Sequence, residues 1–200
     1  MPGEIATKYT DEMAGATQPS TVQPALAIKD ASVNDAEAIA PIYNYYVRTS
    51  IASLQEGDST VDAIRSKLDS IRSKAMPYVL AQDTTTGAIL GYAYADDWHE
   101  RTGYRFTVEC SIYLHADHCG KGYGKLLLPA VLAKLRACGK KQVLAKISIL
   151  PEQAAQDVPS CRLHVAFGFQ PVGRLLKVGF KMGKWVDVLF LQLDLEKSVK

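Results

Sequence analysis

The sequence predicts a single α/β domain in which one mixed central sheet of about seven strands is flanked by about four helices. Three observations carry this prediction. The segment from Thr107 to Gly139 contains a strand, a glycine-rich turn and a helix in unbroken succession. Along the whole chain, the expected elements follow the order β-α-α-β-β-β-α-β-α-β-β. The length of 200 residues suits one domain with a sizeable core.

The central segment begins with a strand and ends with a helix. Thr107–Leu114 alternates between two sides, with Val108 and Cys110 on the apolar one, and this is the period of a β-strand. An apolar pattern at helical spacing continues from Leu126 to Gly139. The final glycine is expected to cap this helix at its C-terminus.

Between the strand and the helix lies the glycine-rich run Gly120–Lys125. Glycines let backbone amides approach one another in conformations that other residues disfavour, and the following helix adds unpaired amides and the positive end of its dipole. Lys121 and Lys125 add full positive charge. The run therefore predicts a cradle for a pyrophosphate. The alternative is an ordinary glycine-rich connection with two solvated lysines.

Two nucleotide-binding motifs fail at this turn. A P-loop requires a glycine where Cys119 stands and Ser or Thr where Leu126 stands. A dinucleotide-binding G-x-G-x-x-G motif requires its third glycine at Lys125 or Leu127. The predicted cradle therefore belongs to neither of these two classes.

The remaining elements follow from periodicity and from residues typical of caps and turns. Helices are expected to begin at a capping box in Asn34–Glu37, at Ser59/Thr60 and at Ser160, and the last of them, Cys161–Phe167, should close at Gly168. The other predicted strands are Leu26–Lys29, Tyr78–Gln82, Ala88–Ala95, Gln142–Ile149, Pro171–Val178 and Trp185–Leu193, with the turn Gly179–Lys184 before the last.

Composition argues against several classes of protein. The formal net charge is +2, so neither nucleic acid nor a membrane surface is an expected partner, and no apolar run approaches membrane-spanning length. Residues 1–24 are expected to form a flexible tail, without the apolar core of a signal peptide, ahead of a domain at 25–196.

The four cysteines of the chain lack the spacing of a zinc site. This predicts that no metal is bound and that the thiols are reduced or buried in a cytoplasmic protein. They are Cys110, Cys119, Cys138 and Cys161.

The turn resembles the acetyl-CoA loop of the GNAT acetyltransferase superfamily, whose pattern is (Q/R)-x-x-G-x-(G/A). Here it reads Cys119-Gly120-Lys121-Gly122-Tyr123-Gly124, in which the glycines match and Cys119 replaces the leading Arg or Gln. The predicted element order is also that of GNAT enzymes. From Ile28 to Leu193, the chain is similar to the phosphinothricin acetyltransferases and their relatives, including methionine sulfoximine acetyltransferases.

Further motifs carry this resemblance. They are Ile42-Tyr43-Asn44, Trp98, Tyr104-Arg105-x-Thr107-Val108-Glu109, Arg162-Leu163-His164 and Gly179-Phe180-Lys181-x-Gly183-x-Trp185-x-Asp187. The resemblance implies a sheet that splays between its fourth and fifth strands. It also implies a homodimer joined near the final strands, and direct attack by a small amino-acid-like amine on acetyl-CoA in a ternary complex. Two alternatives remain open: a protein N-terminal or lysine acetyltransferase, and a non-catalytic CoA-binding module.

Two residues are candidates for the chemistry. Glu109 lies mid-strand among apolar neighbours, where a carboxylate is costly unless it is used or paired. The resemblance implies a general base that acts directly or through water; the alternative is a rim carboxylate paired with Arg105. His164 would lie near the thiolate leaving group and either donate a proton or receive one from the amine. Its alternative role is that of a core-edge histidine that orients backbone.

The resemblance also assigns residues to the cofactor. Backbone pairing with the pantetheine arm is expected from Ile112, Tyr113 and Leu114. The pyrophosphate is expected at the turn from Cys119 to Lys125. Further along the chain, the family pattern has a serine that Ser160 matches, preceded by an Asn three residues earlier. Asp157 stands in place of that Asn and can accept but not donate a hydrogen bond.

Three residues are candidates for the acyl acceptor, and all lie on or beside the loop before the central strand. Tyr104 and Arg105 are expected to grip a carboxylate, sulfoximine or phosphinate oxygen, since Arg suits planar oxyanions. Trp98 either forms a wall of the pocket or simply packs the loop.

Overall fold

The computed structural model describes residues 25–197; the predicted tail at residues 1–24 lies outside them. This part of the chain contains seven strands and four helices, as predicted. The strands are β1 (Leu26–Asp30), β2 (Tyr78–Asp83), β3 (Ile89–Asp97), β4 (Thr107–Leu114), β5 (Gln142–Ile149), β6 (Gln170–Lys181) and β7 (Lys184–Asp194). The helices are α1 (Ala36–Thr49), α2 (Val61–Ser73), α3 (Gly124–Ala137) and α4 (Pro159–Ala166).

The strands form one mixed sheet in the order β1-β2-β3-β4-β5-β7-β6. All neighbouring strands are antiparallel except β4 and β5, which run parallel. The glycine-rich turn and α3 make the crossover from β4 to β5, because parallel neighbours need a long connection. The predicted α/β class with a mixed sheet is confirmed.

The helices divide between the two faces of the sheet. Tyr113 of β4 points to the face that carries α1, where the Tyr43 ring meets it edge-on with centroids 5.4 Å apart; α2 packs beside α1. Successive residues of a strand point to opposite faces, so Cys110 points to the other face, and there it meets His164 of α4. The two faces therefore contribute different side chains to the middle of β4.

Two helices begin at other residues than predicted. The capping box before α1 is formed by Ser32 and Asp35, not within Asn34–Glu37: the Asp35 carboxylate accepts hydrogen bonds from the Ser32 amide at 2.7 Å and hydroxyl at 2.9 Å. The helix α4 begins at Pro159, so Ser160 is not its cap. Proline suits the first helical position because its missing N–H would have no partner there.

Other predicted helix ends are confirmed. The Thr60 hydroxyl accepts a hydrogen bond from the Ala63 amide at 3.1 Å. Gly139 and Gly168 close α3 and α4 in left-handed conformations, with φ of +72° and +89°. No helix within residues 25–197 is long and apolar enough to cross a membrane.

The hairpin of β6 and β7 has a shorter turn than the predicted Gly179–Lys184. The strand β6 continues to Lys181, and the turn is Met182–Gly183, with φ of +52° and +73°, which is the pattern of a tight two-residue hairpin. The buried Lys181 ammonium donates to the carbonyls of Ser50 and Ser53 at 2.9 and 2.6 Å, and burial lowers the pKa of Lys181. These bonds hold the hairpin against the loop that follows α1.

A bulge in β6 is built around Asp187 of β7. The register shifts between Leu175 and Gly179, and the buried Asp187 carboxylate accepts hydrogen bonds from the Lys177 amide and from Arg174 Nε, both at 2.7 Å. These two bonds hold the pKa of Asp187 below its usual value. Arg174 also donates to a carbonyl in the loop before α4, so the bulge ties that loop to the sheet.

Candidate active site

The strands β4 and β5 separate in the middle of the sheet, as expected from the resemblance. They pair over three residues of each strand, Thr107–Glu109 with Gln142–Leu144. The remaining parts, residues 110–114 of β4 and 145–149 of β5, have no mutual pairing. We call the space between these two parts the gap.

Alternate residues of β4 present their backbone groups to the gap. The His115 amide bonds to the Leu90 carbonyl of the β3 side, and successive residues direct their amides and carbonyls to opposite edges. Ile112 and Leu114 therefore face the gap, whereas Tyr113 faces β3. The expectation that Tyr113 offers backbone groups to a ligand is wrong, and its contribution to this region is its ring.

The turn Gly120–Lys125, which we call the phosphate turn, has the conformation of an anion cradle. Gly120 and Gly122 have φ of +76° and +88°, and a Cβ added to either would meet no atom within 4 Å. Within residues 25–197, no acceptor receives a hydrogen bond from the five amides of Gly120–Gly124. Five successive free amides at the start of α3 form a site for a phosphate group.

The side chains of the phosphate turn have different environments. Lys121 and Lys125 are exposed, while the Tyr123 ring is buried. Cys119 is exposed, and its thiol lies 3.4 Å from the Tyr46 hydroxyl, which donates to the Leu114 carbonyl at 2.7 Å. The two lysines are therefore the charged groups that the turn itself adds.

Glu109 is paired with a residue that the sequence prediction did not consider. Its carboxylate lies 2.8 Å from the Lys146 ammonium of β5, so the alternative pairing with Arg105 is wrong. The Glu109 side chain is 25% exposed, which leaves it accessible to a substrate. Trp98 lies beside Lys146. Its ring centroid is 5.8 Å from the Lys146 ammonium and 5.9 Å from the ring centroid of Phe190.

The other two acceptor candidates make contacts within their own loop. The Arg105 guanidinium lies 4.4 Å from the Phe106 ring centroid and donates to the Thr102 carbonyl at 3.2 Å. The Tyr104 ring packs against His99 with centroids 5.1 Å apart. Of the three candidates, Trp98 is thus the one whose ring lies beside Lys146, the partner of Glu109.

His164 lies on the opposite face of the sheet from Glu109. It is 3% exposed, and its Nδ1 is 2.8 Å from the Ser160 carbonyl, to which it donates. Its Nε2 lies 3.7 Å from the Cys110 thiol. Burial lowers the pKa of His164, an effect that the hydrogen bond to Ser160 partly offsets. The ring is therefore neutral at pH 7, with Nε2 as a hydrogen-bond acceptor.

This neutral state predicts how stability depends on pH. On unfolding, His164 regains a pKa near 6.5, so below that pH the unfolded chain binds a proton that the folded chain does not. Stability should fall as pH drops from about 6.5 towards the lowered folded pKa. In a melting series from pH 7.5 to 5.5, His164→Asn, whose amide can still donate to Ser160, should lose less Tm than the wild type.

A matched control is His99→Asn, because His99 is exposed and lies outside the core. This variant should keep the wild-type slope of Tm against pH. Equal slopes for His164→Asn and the wild type would show that His164 takes up its proton equally well in both states.

The remaining predicted cofactor residues lie near the start of α4. Asp157 ends a short 3-10 turn, and Ser160 is the second residue of the helix; both are exposed. The helices α3 and α4 meet closely at Gly124, where an added Cβ would lie 2.9 Å from Leu163. This approach places α4 beside the phosphate turn, although within residues 25–197 no hydrogen bond joins the side chain of Asp157 or Ser160 to the turn.

Comparison with known proteins identifies the family of this chain. The model of the Acetyltransferase (GNAT) family matches residues 39–169. The chain is 35% identical over 162 residues, 81% of this chain and 79% of the relative, to phosphinothricin N-acetyltransferase of Alcaligenes faecalis. It is 34% identical over 172 residues, 86% of this chain and 96% of the relative, to L-methionine sulfoximine/L-methionine sulfone acetyltransferase of Salmonella typhimurium. The chain belongs to the GNAT acetyltransferase family.

A solved structure of a GNAT superfamily phosphinothricin acetyltransferase extends the similarity to the fold. This protein, Pat from Sinorhizobium meliloti in complex with AcCoA, has a TM-score of 0.78 and 36% identity, over 84% of this chain and 88% of that one. The predicted membership of the GNAT superfamily, and the resemblance to this group of acetyltransferases, are confirmed.

In this GNAT acetyltransferase, sequence reasoning missed two side chains of the site. Alternation along β5 could have placed Lys146 on the same face as Leu144, but the register that sets Leu144 beside Glu109 is seen only in the structure. Tyr46 could not have been found in this way, since its bond to Leu114 joins residues 68 positions apart. Lys146 contacts β4 where the gap begins, and Tyr46 contacts it at Leu114, the last residue of the strand.

Proposed function

We propose that this GNAT acetyltransferase transfers the acetyl group of acetyl-CoA to the amine of a small amino-acid-like substrate, of the phosphinothricin, methionine sulfoximine or methionine sulfone type. One observation carries the proposal: the accessible carboxylate of Glu109 stands where β4 and β5 part. Beyond it, the gap runs along β4 towards the five free amides of the phosphate turn. The substrates named for the two curated relatives support the acceptor class.

The residues of this chain fit acetyl-CoA. The gap-facing backbone groups of Ile112 and Leu114 would hold the pantetheine arm as an added strand does. The amides of the phosphate turn, with Lys121 and Lys125, would hold the pyrophosphate. Because Cys119 brings no charge, we assign the phosphates to backbone amides and these lysines. The AcCoA in the Sinorhizobium meliloti relative supports this assignment.

Acetyl-CoA supplies the acetyl group as an activated thioester. The task of the chain is to orient the amine and to remove its proton, because an α-amine has a reference pKa near 8 and is mostly an ammonium at neutral pH. Glu109 accepts that proton, directly or through a water molecule. His164 serves as a positioning residue: its Nδ1–H is engaged by Ser160 and its ring is neutral.

An acceptor screen tests the proposed function. Purified protein is given acetyl-CoA with L-methionine sulfone, L-methionine sulfoximine, phosphinothricin, or peptides bearing free N-termini and lysines, and thiol release is measured. The amino-acid analogues should be acetylated and the peptides should not. Acetylation of peptides alone would favour the protein acetyltransferase alternative. Binding of acetyl-CoA without turnover of any amine would favour a non-catalytic module.

The proposal includes a homodimer formed through the exposed strand β6. This edge strand carries a set of apolar side chains that are each about half or more exposed, which is unusual for a soluble monomer. They are Val172, Leu175, Leu176, Val178 and Phe180, with Trp185 on the adjoining strand. A second copy of the chain would cover this surface.

Leu176→Glu should therefore convert a dimer into a monomer. Leu176 is the most exposed of these residues, at 73%, and a buried unpaired carboxylate at an interface is strongly unfavourable. Light scattering at micromolar concentration measures the change in mass. Tyr45→Glu, at a 43% exposed aromatic position on α1, is the control and should stay dimeric. A wild-type monomer would contradict the dimer.

Location and partners complete the proposal. A cytoplasmic enzyme fits the four cysteines, none of which is in a disulfide. A net charge of +2 gives no electrostatic reason for binding nucleic acid or membranes. We also propose that the reaction needs no metal. Acetylation would remove the positive charge of the amine in a toxic amino-acid analogue, which is consistent with detoxification.

A further inference from the structure

The ion pair of Glu109 and Lys146 spans the point where the gap opens. Glu109 and Leu144 are the last paired residues of β4 and β5. Lys146 lies two residues further along β5, on the same face as Glu109, because side chains alternate. Its ammonium reaches back to the Glu109 carboxylate at 2.8 Å. The proposed base thus has a cation beside it at the mouth of the gap.

The ammonium of Lys146 retains capacity for another partner. Its side chain is 43% exposed, and within residues 25–197 Glu109 is the carboxylate that lies within ion-pair distance. Within that part of the chain, Glu109 is the partner that the Lys146 ammonium has. An ammonium has three N–H donors, so at least two of them remain available beside Trp98.

The charges of this pair complement those of an amino acid. In an α-amino acid, the ammonium and the carboxylate are attached to the same carbon. Placed against the pair, the substrate ammonium would meet Glu109 and the substrate carboxylate would meet Lys146, so that four charges alternate in sign. Opposite charges at this spacing attract strongly when water is partly excluded, and the Trp98 ring centroid lies 5.8 Å from the Lys146 ammonium.

We propose that Lys146 determines acceptor specificity by binding the carboxylate of an α-amino-acid acceptor while Glu109 receives its amine. This inference rests on the proposed function and adds the group that recognises the acid. Arg105, the cation expected from the sequence for this role, is engaged with Thr102 and Phe106 instead. Lys146 is the cation that touches the proposed base.

The test compares an acid with its amide. The value of kcat/KM is measured for L-methionine sulfone and for its α-carboxamide, which keeps the amine and the side chain but lacks the carboxylate. Lys146→Met keeps the length of the side chain and removes its charge, whereas Lys146→Arg keeps the charge. Lys141→Met is the matched control. The Lys141 side chain is 45% exposed, and its ammonium pairs with the Glu196 carboxylate at a distance of 2.6 Å, outside the gap.

Wild type should prefer the acid, and Lys146→Met should reduce that preference by about 10- to 100-fold, the scale of a hydrogen bond to a charged group. Most of the loss should appear as a raised KM for the acid. Lys146→Arg should keep much of the preference, and Lys141→Met all of it.

Equal loss for acid and amide in Lys146→Met would overturn the inference, because Lys146 would then act through Glu109 alone. A kcat/KM for Lys146→Met that equals the wild-type value with both compounds would overturn it as well. In both cases the wild-type enzyme still acetylates the amino acid, so the proposed function stands. A wild type that releases no thiol with either compound, or with phosphinothricin, contradicts the proposed function itself.

Discussion

Replacing Glu109 with Gln should lower kcat by about 10²–10⁴-fold, the usual scale of general base catalysis. The amide keeps the shape of the side chain but cannot accept the proton of the amine. The KM for acetyl-CoA should change little, because the groups assigned to it are the backbone of Ile112 and Leu114 and the phosphate turn. Steady-state kinetics with saturating acetyl-CoA and L-methionine sulfone measure both effects.

The dependence on pH separates a lost base from a damaged site. Raising the pH should restore part of the Glu109→Gln loss, because more of the amine is then already neutral. Glu196→Gln is the control, since Glu196 also pairs with a lysine but lies two residues beyond the end of β7; it should keep the wild-type rate. Nearly full activity of Glu109→Gln at pH 7, with an unchanged pH profile, would assign Glu109 to structure and direct attention to a water chain or His164.

The features that the sequence predicted correctly are those determined by residues close to one another along the chain. The alternation of Thr107–Leu114 needs only the period of a strand, and it placed β4 at its observed bounds. Gly139 and Gly168 were predicted as helix caps because a left-handed residue after a helix favours glycine, and both have positive φ. Each of these predictions depends on contacts within a few residues of the chain.

The features that failed depend on contacts across the fold. The alternative considered for Glu109 was a pairing with Arg105, four residues away, but its carboxylate pairs with Lys146 on the parallel strand. That partner is set by the register of β4 and β5, which a period cannot reveal. The capping box before α1 shifted for a local reason: Ser32 and Asp35 offer the same motif two residues earlier.

The phosphate turn was located correctly, but its chemistry lies in the backbone. The sequence supplied the glycines and lysines of the run, whereas the free amides of Gly120–Gly124 are visible only in the folded chain. His164 shows the same limit. Its position on a short helix could be predicted, while its neutral state follows from burial and from the bond to Ser160.

Gly122→Val should raise the KM for acetyl-CoA by about 10²–10³-fold. Gly122 has a φ of +88°, and a non-glycine residue in this region costs about 1–2 kcal/mol, more for a β-branched side chain. The new side chain would also occupy the open space in front of the free amides. Losing one charge-assisted hydrogen bond to a phosphate lowers the binding free energy by about 1.5–3 kcal/mol.

The control for backbone strain is Gly139→Val, at the opposite end of α3. Gly139 has a φ of +72° and equally open surroundings, so this variant should lose thermal stability to a similar degree but bind acetyl-CoA as the wild type does. Calorimetric titration with acetyl-CoA and with desulfo-CoA gives the affinities independently of turnover. Equal affinity of Gly122→Val and Gly139→Val for acetyl-CoA would remove the phosphate turn from the cofactor site. Weakened binding by Gly122→Val alone, with both variants folded, assigns the pyrophosphate to the free amides at the start of α3.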